Sequence, residues 1–195
     1  MAIIVSDDFI GVLNTALNNH TPDIDVEGGG WSVSGTNDVQ LDGIGGAKFS
    51  SQNDSAWIDV GTTDQVVTAN YNAGNGDNRA SITARDTGGA VTSSTNYYFN
   101  IRPAVSGSDN LFINKRVNGI TTFLVSKELT LDADVTYELE ASAIGDALTF
   151  KVDGVTELTV TDTSITTGTH AALQQNARLN GAARFLDFQV EDAVA

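Results

Sequence analysis

Five of the ten lysine and arginine residues, Arg79, Arg85, Arg102, Lys115 and Arg116, fall between positions 79 and 116 of a chain with net charge −15. The residues around them alternate. Arg79, Ser81, Thr83 and Arg85 interleave with Ala80, Ile82 and Ala84, and Tyr98, Asn100 and Arg102 interleave with Tyr97, Phe99 and Ile101. Side chains on a β-strand point to opposite faces with period two, so each polar set makes the wet face of one strand. Guanidinium groups, a phenol and an amide on one sheet face can stack on and hydrogen-bond a sugar, or hold an acidic group bidentately. Arg79, Arg85, Tyr98, Asn100 and Arg102 are therefore the candidate ligand-binding residues, for a glycan or a protein partner. The competing expectation is that these cations neutralise acidic neighbours across the strands.

A second set is acidic. Asp23-Ile24-Asp25-Val26-Glu27 carries alternating carboxylates just before the triple glycine Gly28-Gly29-Gly30. Its simplest reading is a solvated acidic loop, with a weak Ca²⁺ loop as the next. His20 and His170 are the only histidines and there is no cysteine. That excludes disulfides, thiolate metal sites and a cysteine nucleophile. No HExxH, no Ser-His-Asp pattern and no phosphate-binding glycine loop is present, and the glycines at 74, 76, 88 and 89 read as turn residues. No covalent or metal catalysis is expected.

The elements that must position these residues are strands. Gly is abundant and Pro scarce, as in chains of many short strands joined by turns. The clearest stretch is Val135 to Val160. Val135, Tyr137, Leu139 and Ala141 alternate with polar residues, Ile144-Gly145-Asp146 breaks the run, and Leu148, Phe150 and Val152 resume it. Asp153-Gly154 follows, a strong signal for a type I′ hairpin, because both central residues of that turn need positive φ. Further strands are expected at Gln65–Tyr71, Arg79–Arg85, Asn96–Arg102, Leu111–Val117 and Thr121–Val125, with Ala171–Gln174 and Phe185–Val190 closing the sheet. Residues 11–30 read as a long connection, and Trp31 as a core anchor. At 195 residues the chain fits one β-sandwich domain, residues 1–195.

The segments YELEASAIGDALTFKVDGVTELTVTD, TTGTHAALQQN and AARFLDFQVED resemble the C-terminal half of concanavalin A-like (laminin-G-like) jelly rolls. The N-terminal SDDF and GGGW segments add to the likeness. The resemblance implies an all-β, antiparallel two-sheet jelly-roll sandwich. It also implies a calcium ion where the first and last strands meet, for which Asp8 and Asp187 are the candidate ligands and hard oxygen donors suit the ion. Asp23 to Glu27 resembles the Glu-x-Asp-x-Glu strand of laminarinase-type glycosidases. There, two carboxyls about 5–5.5 Å apart serve as nucleophile and acid/base. Here Asp23 is a shorter arm, and the usual tryptophan context is missing.

The net charge repels duplex nucleic acid and anionic membranes, so neither is an expected partner. No apolar run approaches the ~18 residues of a membrane helix. The start MAIIVSDDF lacks a basic region and an apolar core, so it does not read as a secretory signal. Together with the similarity to laminin-G-like proteins encoded among structural genes of tailed bacteriophages, this leads to a non-enzymatic virion protein. It would decorate a capsid or a head or tail surface, made in the host cytoplasm and carried on the virion. Its expected partners are other virion proteins, copies of itself and host-surface glycans. The alternatives are an extracellular carbohydrate-binding module, lectin or adhesin, and then a laminarinase-type glycoside hydrolase.

Overall fold

The computed structural model describes residues 1–34, 39–74, 78–103, 110–132, 134–175 and 183–193. Among them the first strands are β1 (Ala2–Asp7), β2 (Ile24–Asp25), β3 (Ser32–Val33), β4 (Val39–Leu41), β5 (Ala47–Phe49), β6 (Ser55–Asp59), β7 (Gln65–Asn72) and β8 (Ala80–Asp86). There follow β9 (Asn96–Arg102), β10 (Asn110–Val117), β11 (Ile120–Glu128), β12 (Thr136–Ile144), β13 (Ala147–Val152), β14 (Val155–Thr161), β15 (His170–Gln175), β16 (Arg184–Phe185) and β17 (Phe188–Asp192). They form two sheets. One has the order β14-β13-β12-β7-β16-β5-β4, with β17 also on β7, β1 on β17 and β2 on β1; the other runs β11-β10-β9-β8-β15-β6-β3. The pairings are antiparallel, as the sequence led us to expect.

The alternation seen in the sequence makes the core. Val67, Ala69 and Tyr71 of β7 and Tyr97, Phe99 and Ile101 of β9 are fully buried between the sheets. Phe99 meets Phe150 of β13 at 5.7 Å, Tyr71 meets Phe185 at 5.0 Å, and Trp31 meets Phe188 edge-on at 5.0 Å. Each such side chain contributes ~1.5–3 kcal/mol on full burial, which is ample to fix which face of a strand looks inward. Asp153 and Gly154 take φ of 50° and 75°, the hairpin geometry the dipeptide predicts. The connection over residues 11–30 holds a 3-10 turn at Leu17–Asn19, with Leu17 buried, and the short β2, which pairs with Val5 and Ser6.

Two irregularities decide which side chains reach the outer face of the seven-stranded sheet. β15 shifts register on β8 between His170 and Ala172, and Arg85 takes φ of 52° there. The strict alternation expected over Arg79 to Arg85 ends at this bulge. On β11, Ile113 pairs with Val125 but Asn114 pairs with Phe123, so Leu124 is an extra residue. A bulge re-aims the side chains beyond it. Val125 packs against the core, whereas Phe123 stands 56% exposed opposite Asn114.

Part of that outer face is covered. Residues 87–95, between β8 and β9, reach Ser55 and Trp57 of β6, His170 of β15 and, at their other end, the β10–β11 turn at Gly119. Gly89 O accepts a hydrogen bond from Ser55 Oγ (3.2 Å), Ser94 O accepts one from Gly119 N (3.0 Å), and Val91 is buried. Gly88 (φ 73°) runs so close to Trp57 that a Cβ there would lie 3.1 Å from the indole nitrogen. Among the described residues no helix is long and apolar enough to cross a membrane.

Candidate functional site

The uncovered part of the face, over β8 to β11, forms a groove of about 340 Å³. In the ladder Ser81 and Thr83 of β8 lie opposite Asn100 and Tyr98 of β9, which in turn lie opposite Phe112 and Asn114 of β10. Tyr98, Asn100, Asn114 and Arg116 line the floor, with Phe112, Phe123, Arg79 and Asn53 around them. Asn100 Nδ2 donates to Ser81 Oγ (2.9 Å) and Tyr98 Oη donates to Thr121 Oγ1 (3.2 Å), so both side chains are fixed in place. Phe112 and Phe123 meet edge to face, their centroids 6.5 Å apart. This is an aromatic wall beside amides and guanidinium groups, the mix that stacks on an apolar ring face while bonding its hydroxyls.

Arg116 is 4% exposed. Its guanidinium stacks on Tyr98 at 4.4 Å, and Nη1 donates to Gln174 Oε1 (3.0 Å). Burial pulls its pKa below the ordinary value, against the nearby Tyr98 and Asp86. Behind it Asp86 is buried, and burial pushes its carboxyl up although Asn96, Gly88 and Thr83 all donate to it. Gln174 Nε2, Asn96 Oδ1 and His170 Nδ1 are buried there without a hydrogen-bond partner.

Of the five ligand-binding candidates, the fold brings Arg79, Tyr98 and Asn100 together in the groove. Arg102 stands at the end of β9 opposite Asn110, half-buried and outside the lining. Arg85 is corrected: it leaves the wet face altogether. At the bulge its side chain turns through the sandwich and binds Asp64 Oδ1 (2.8 Å) and the carbonyls of Thr63 (2.9 Å), Ile165 (2.9 Å) and Gly145 (2.6 Å). Lys115 also parts from Arg116, pointing to the opposite face, where Nζ pairs with Asp162 Oδ2 at 2.8 Å. The sequence reading passed over Phe112 and Phe123. An aromatic between Leu111 and Ile113, on the polar parity of its strand, is the signal that would have found the first; the second depends on the Leu124 bulge.

The acidic candidates also change. Asp8 and Asp187 line one depression, but Asp187 does not join the carboxylate group, which is Asp7, Asp8 and Asp23. The last strand is broken between β16 and β17, and Asp187 fills the break: its two oxygens accept from Asn70 N (2.7 Å) and Asn70 Nδ2 (2.6 Å). Asp7 is equally committed, to Phe9 N (2.8 Å), His20 Nε2 (2.9 Å) and Trp31 Nε1 (2.7 Å). A calcium ion takes about six to eight oxygens. The pair read from the sequence does not supply such a cage, since Asp187 serves the sheet. Asp25 caps its own loop by accepting from Gly28 N and Gly30 N, both at 2.9 Å, and Asp23 to Glu27 lies at the rim of the ten-stranded sheet, away from the groove.

Neither a protein-family model nor a curated protein sequence matches the chain. Solved structures do. The carbohydrate binding module CBM66 from Bacillus subtilis aligns with TM-score 0.61 and 19% identity, over 83% of this chain and 95% of that one. A glycosyl hydrolase family 16 protein from Mycobacterium smegmatis gives 0.65 and 10%, over 97% and 100%. The fold is a concanavalin A-like jelly roll. The carbohydrate recognition domain of Emp47p, at TM-score 0.60 and 12% identity over 97% and 98%, has the same jelly roll. At these identities the likeness is one of fold, which binding modules and hydrolases share. None of the three bears on the virion role expected from the sequence.

Proposed function

We propose that this jelly roll is a non-enzymatic carbohydrate-binding domain whose ligand lies in the groove over β8 to β11. The observation that carries the reading is the convergence of Tyr98, Asn100 and Asn114 with Phe112 and Phe123 on one uncovered sheet face. The carbohydrate-binding neighbours support it at the level of fold. Hydrolysis by the usual route needs two carboxyls flanking the bond. Among the described residues none that lines the groove is acidic, so binding is favoured over turnover. The test is retention on a glycan array and in glycan-containing native gels. Wild type is expected to be retained, and Tyr98→Ala and Asn100→Ala to lose retention while keeping the wild-type melting temperature. Retention of no glycan at all would sink the reading, and release of reducing sugar would overturn its non-enzymatic part.

A second reading keeps the virion role, and one surface favours it. Ile10, Val12 and Leu13 are 57–77% exposed on a loop that lies against residues 41–46, where Ile44 is 77% exposed. Exposed apolar residues gathered on adjoining loops suit contact with another protein. Co-sedimentation with capsids, weakened by Val12→Asp and Ile44→Asp, is the outcome this reading expects.

A further inference from the structure

We infer that the groove selects sugars that carry a negative charge, as a carboxylate or a sulfate ester, and that Arg116 and Arg79 recognise it. This rests on the glycan-binding reading above. In a chain with 25 acidic and 10 basic residues, a buried cation is easily given a carboxylate. Arg85, Lys115, Lys127, Lys151 and Arg184 each have one within 4.0 Å. Arg116, nearly as buried as Arg85, has none among the described residues; it has an amide oxygen and the face of Tyr98. The acidic group that acts on it electrostatically, Asp86, is itself held by Asn96, Thr83 and Gly88. A guanidinium with five N–H donors is left with capacity beside an open groove.

Two depressions of the molecule differ in charge. Among the described residues the groove has Arg79 and Arg116 and no acid in its lining, whereas the depression beside β1 and β17 is lined by Asp7, Asp8, Asp23, Glu138 and Asp187. An anion meets attraction in one and repulsion in the other. The aromatic wall of Phe112 and Phe123 gives the anion's carrier a ring to rest on, which a free inorganic ion lacks. The overall charge of −15 opposes an anion in the groove only weakly, since charges more than a Debye length away, ~8 Å at physiological ionic strength, are largely screened. Within the groove, charge-assisted bonds to guanidinium are shorter and stronger than neutral ones.

The experiment is affinity electrophoresis of the full chain at physiological ionic strength in gels holding a neutral β-glucan, a polyuronate or a sulfated galactan. The expected result is retardation by one of the charged polymers at a concentration about tenfold below that needed for the glucan. The uronate and sulfate gels show which anion is taken. Arg116→Gln is expected to erase the preference. Arg79→Gln, at a partly exposed position, is expected to reduce it, and it stands as the test if the Arg116 variant fails to fold. Equal or stronger retardation by the neutral glucan overturns the charge selection and leaves glycan binding standing, as does a preference that survives in the folded variants. Retardation by no polymer overturns both.

Discussion

Arg85 and Arg116 are 3% and 4% exposed, yet among the described residues only Arg85 of the two is given a carboxylate, and it also serves three carbonyls of the surrounding loops. Removing a buried charge's partner costs several kcal/mol, less here because Asp64 is partly exposed, so Arg85→Gln is expected to destabilise by about 2–4 kcal/mol in urea unfolding. Acid stability turns on other residues. Burial raises the Asp7 and Asp86 carboxyls above their ordinary value of 3.8. Each takes up a proton in the folded state before it would in the unfolded one, so stability grows as pH falls from neutral toward 3.8. Asp162 is opposite: desolvation pushes it up, but Lys115, Ser164 and Tyr97 outweigh that and hold it well below 3.8. Its contribution is complete above 3.8 and is lost as pH drops further. Urea midpoints measured across this range should show Asp7→Asn without part of the acid-side rise, and Asp162→Asn with a shallower fall below it.

At the scale of elements, the break between β16 and β17 and the bulge on β11 each put one side chain to a definite use. Asp187→Ala leaves Asn70 N–H without its acceptor and should cost about 1–3 kcal/mol. Because Asp187 is committed to Asn70, Asp187→Asn should leave the response of the melting temperature to EDTA and added Ca²⁺ as it is in the wild type. Phe123, half out in solvent, should be spent on ligand: Phe123→Ser is expected to weaken glycan retention while changing stability by less than about 0.5 kcal/mol. The strands themselves could be read in advance, because Tyr97, Phe99 and Ile101 or the Asp153-Gly154 turn obey a period-two rule and a φ rule that need no neighbour. The bulges could not. Arg85 keeps the parity of Thr83 in the sequence and loses it only through its pairing with β15. Phe123 and Val125 look like one face until Leu124 is seen to have no partner on β10. Asp187 reads as a metal ligand until the break it fills is known.

For the whole molecule, the two sheets and their shared core follow from patterning over most of the chain, while the placing of the groove follows from a loop whose sequence is bland. Residues 87–95 offer only small and polar residues around Val91, and nothing in their order says that they fold back to β15 and β6. That fold-back has a consequence for what a bound chain can be. Four uncovered strands at a spacing of ~4.8 Å leave a bed roughly 14 Å across, bounded on one side by the Gly89–Ser55 contact. On the glycan-binding reading proposed above, such a site would act as a ruler. Titration calorimetry with a ladder of oligosaccharides should show affinity climbing with each added sugar and then stopping abruptly at a short length. Shortening the loop so that it no longer reaches Ser55 should move that stopping point to longer chains.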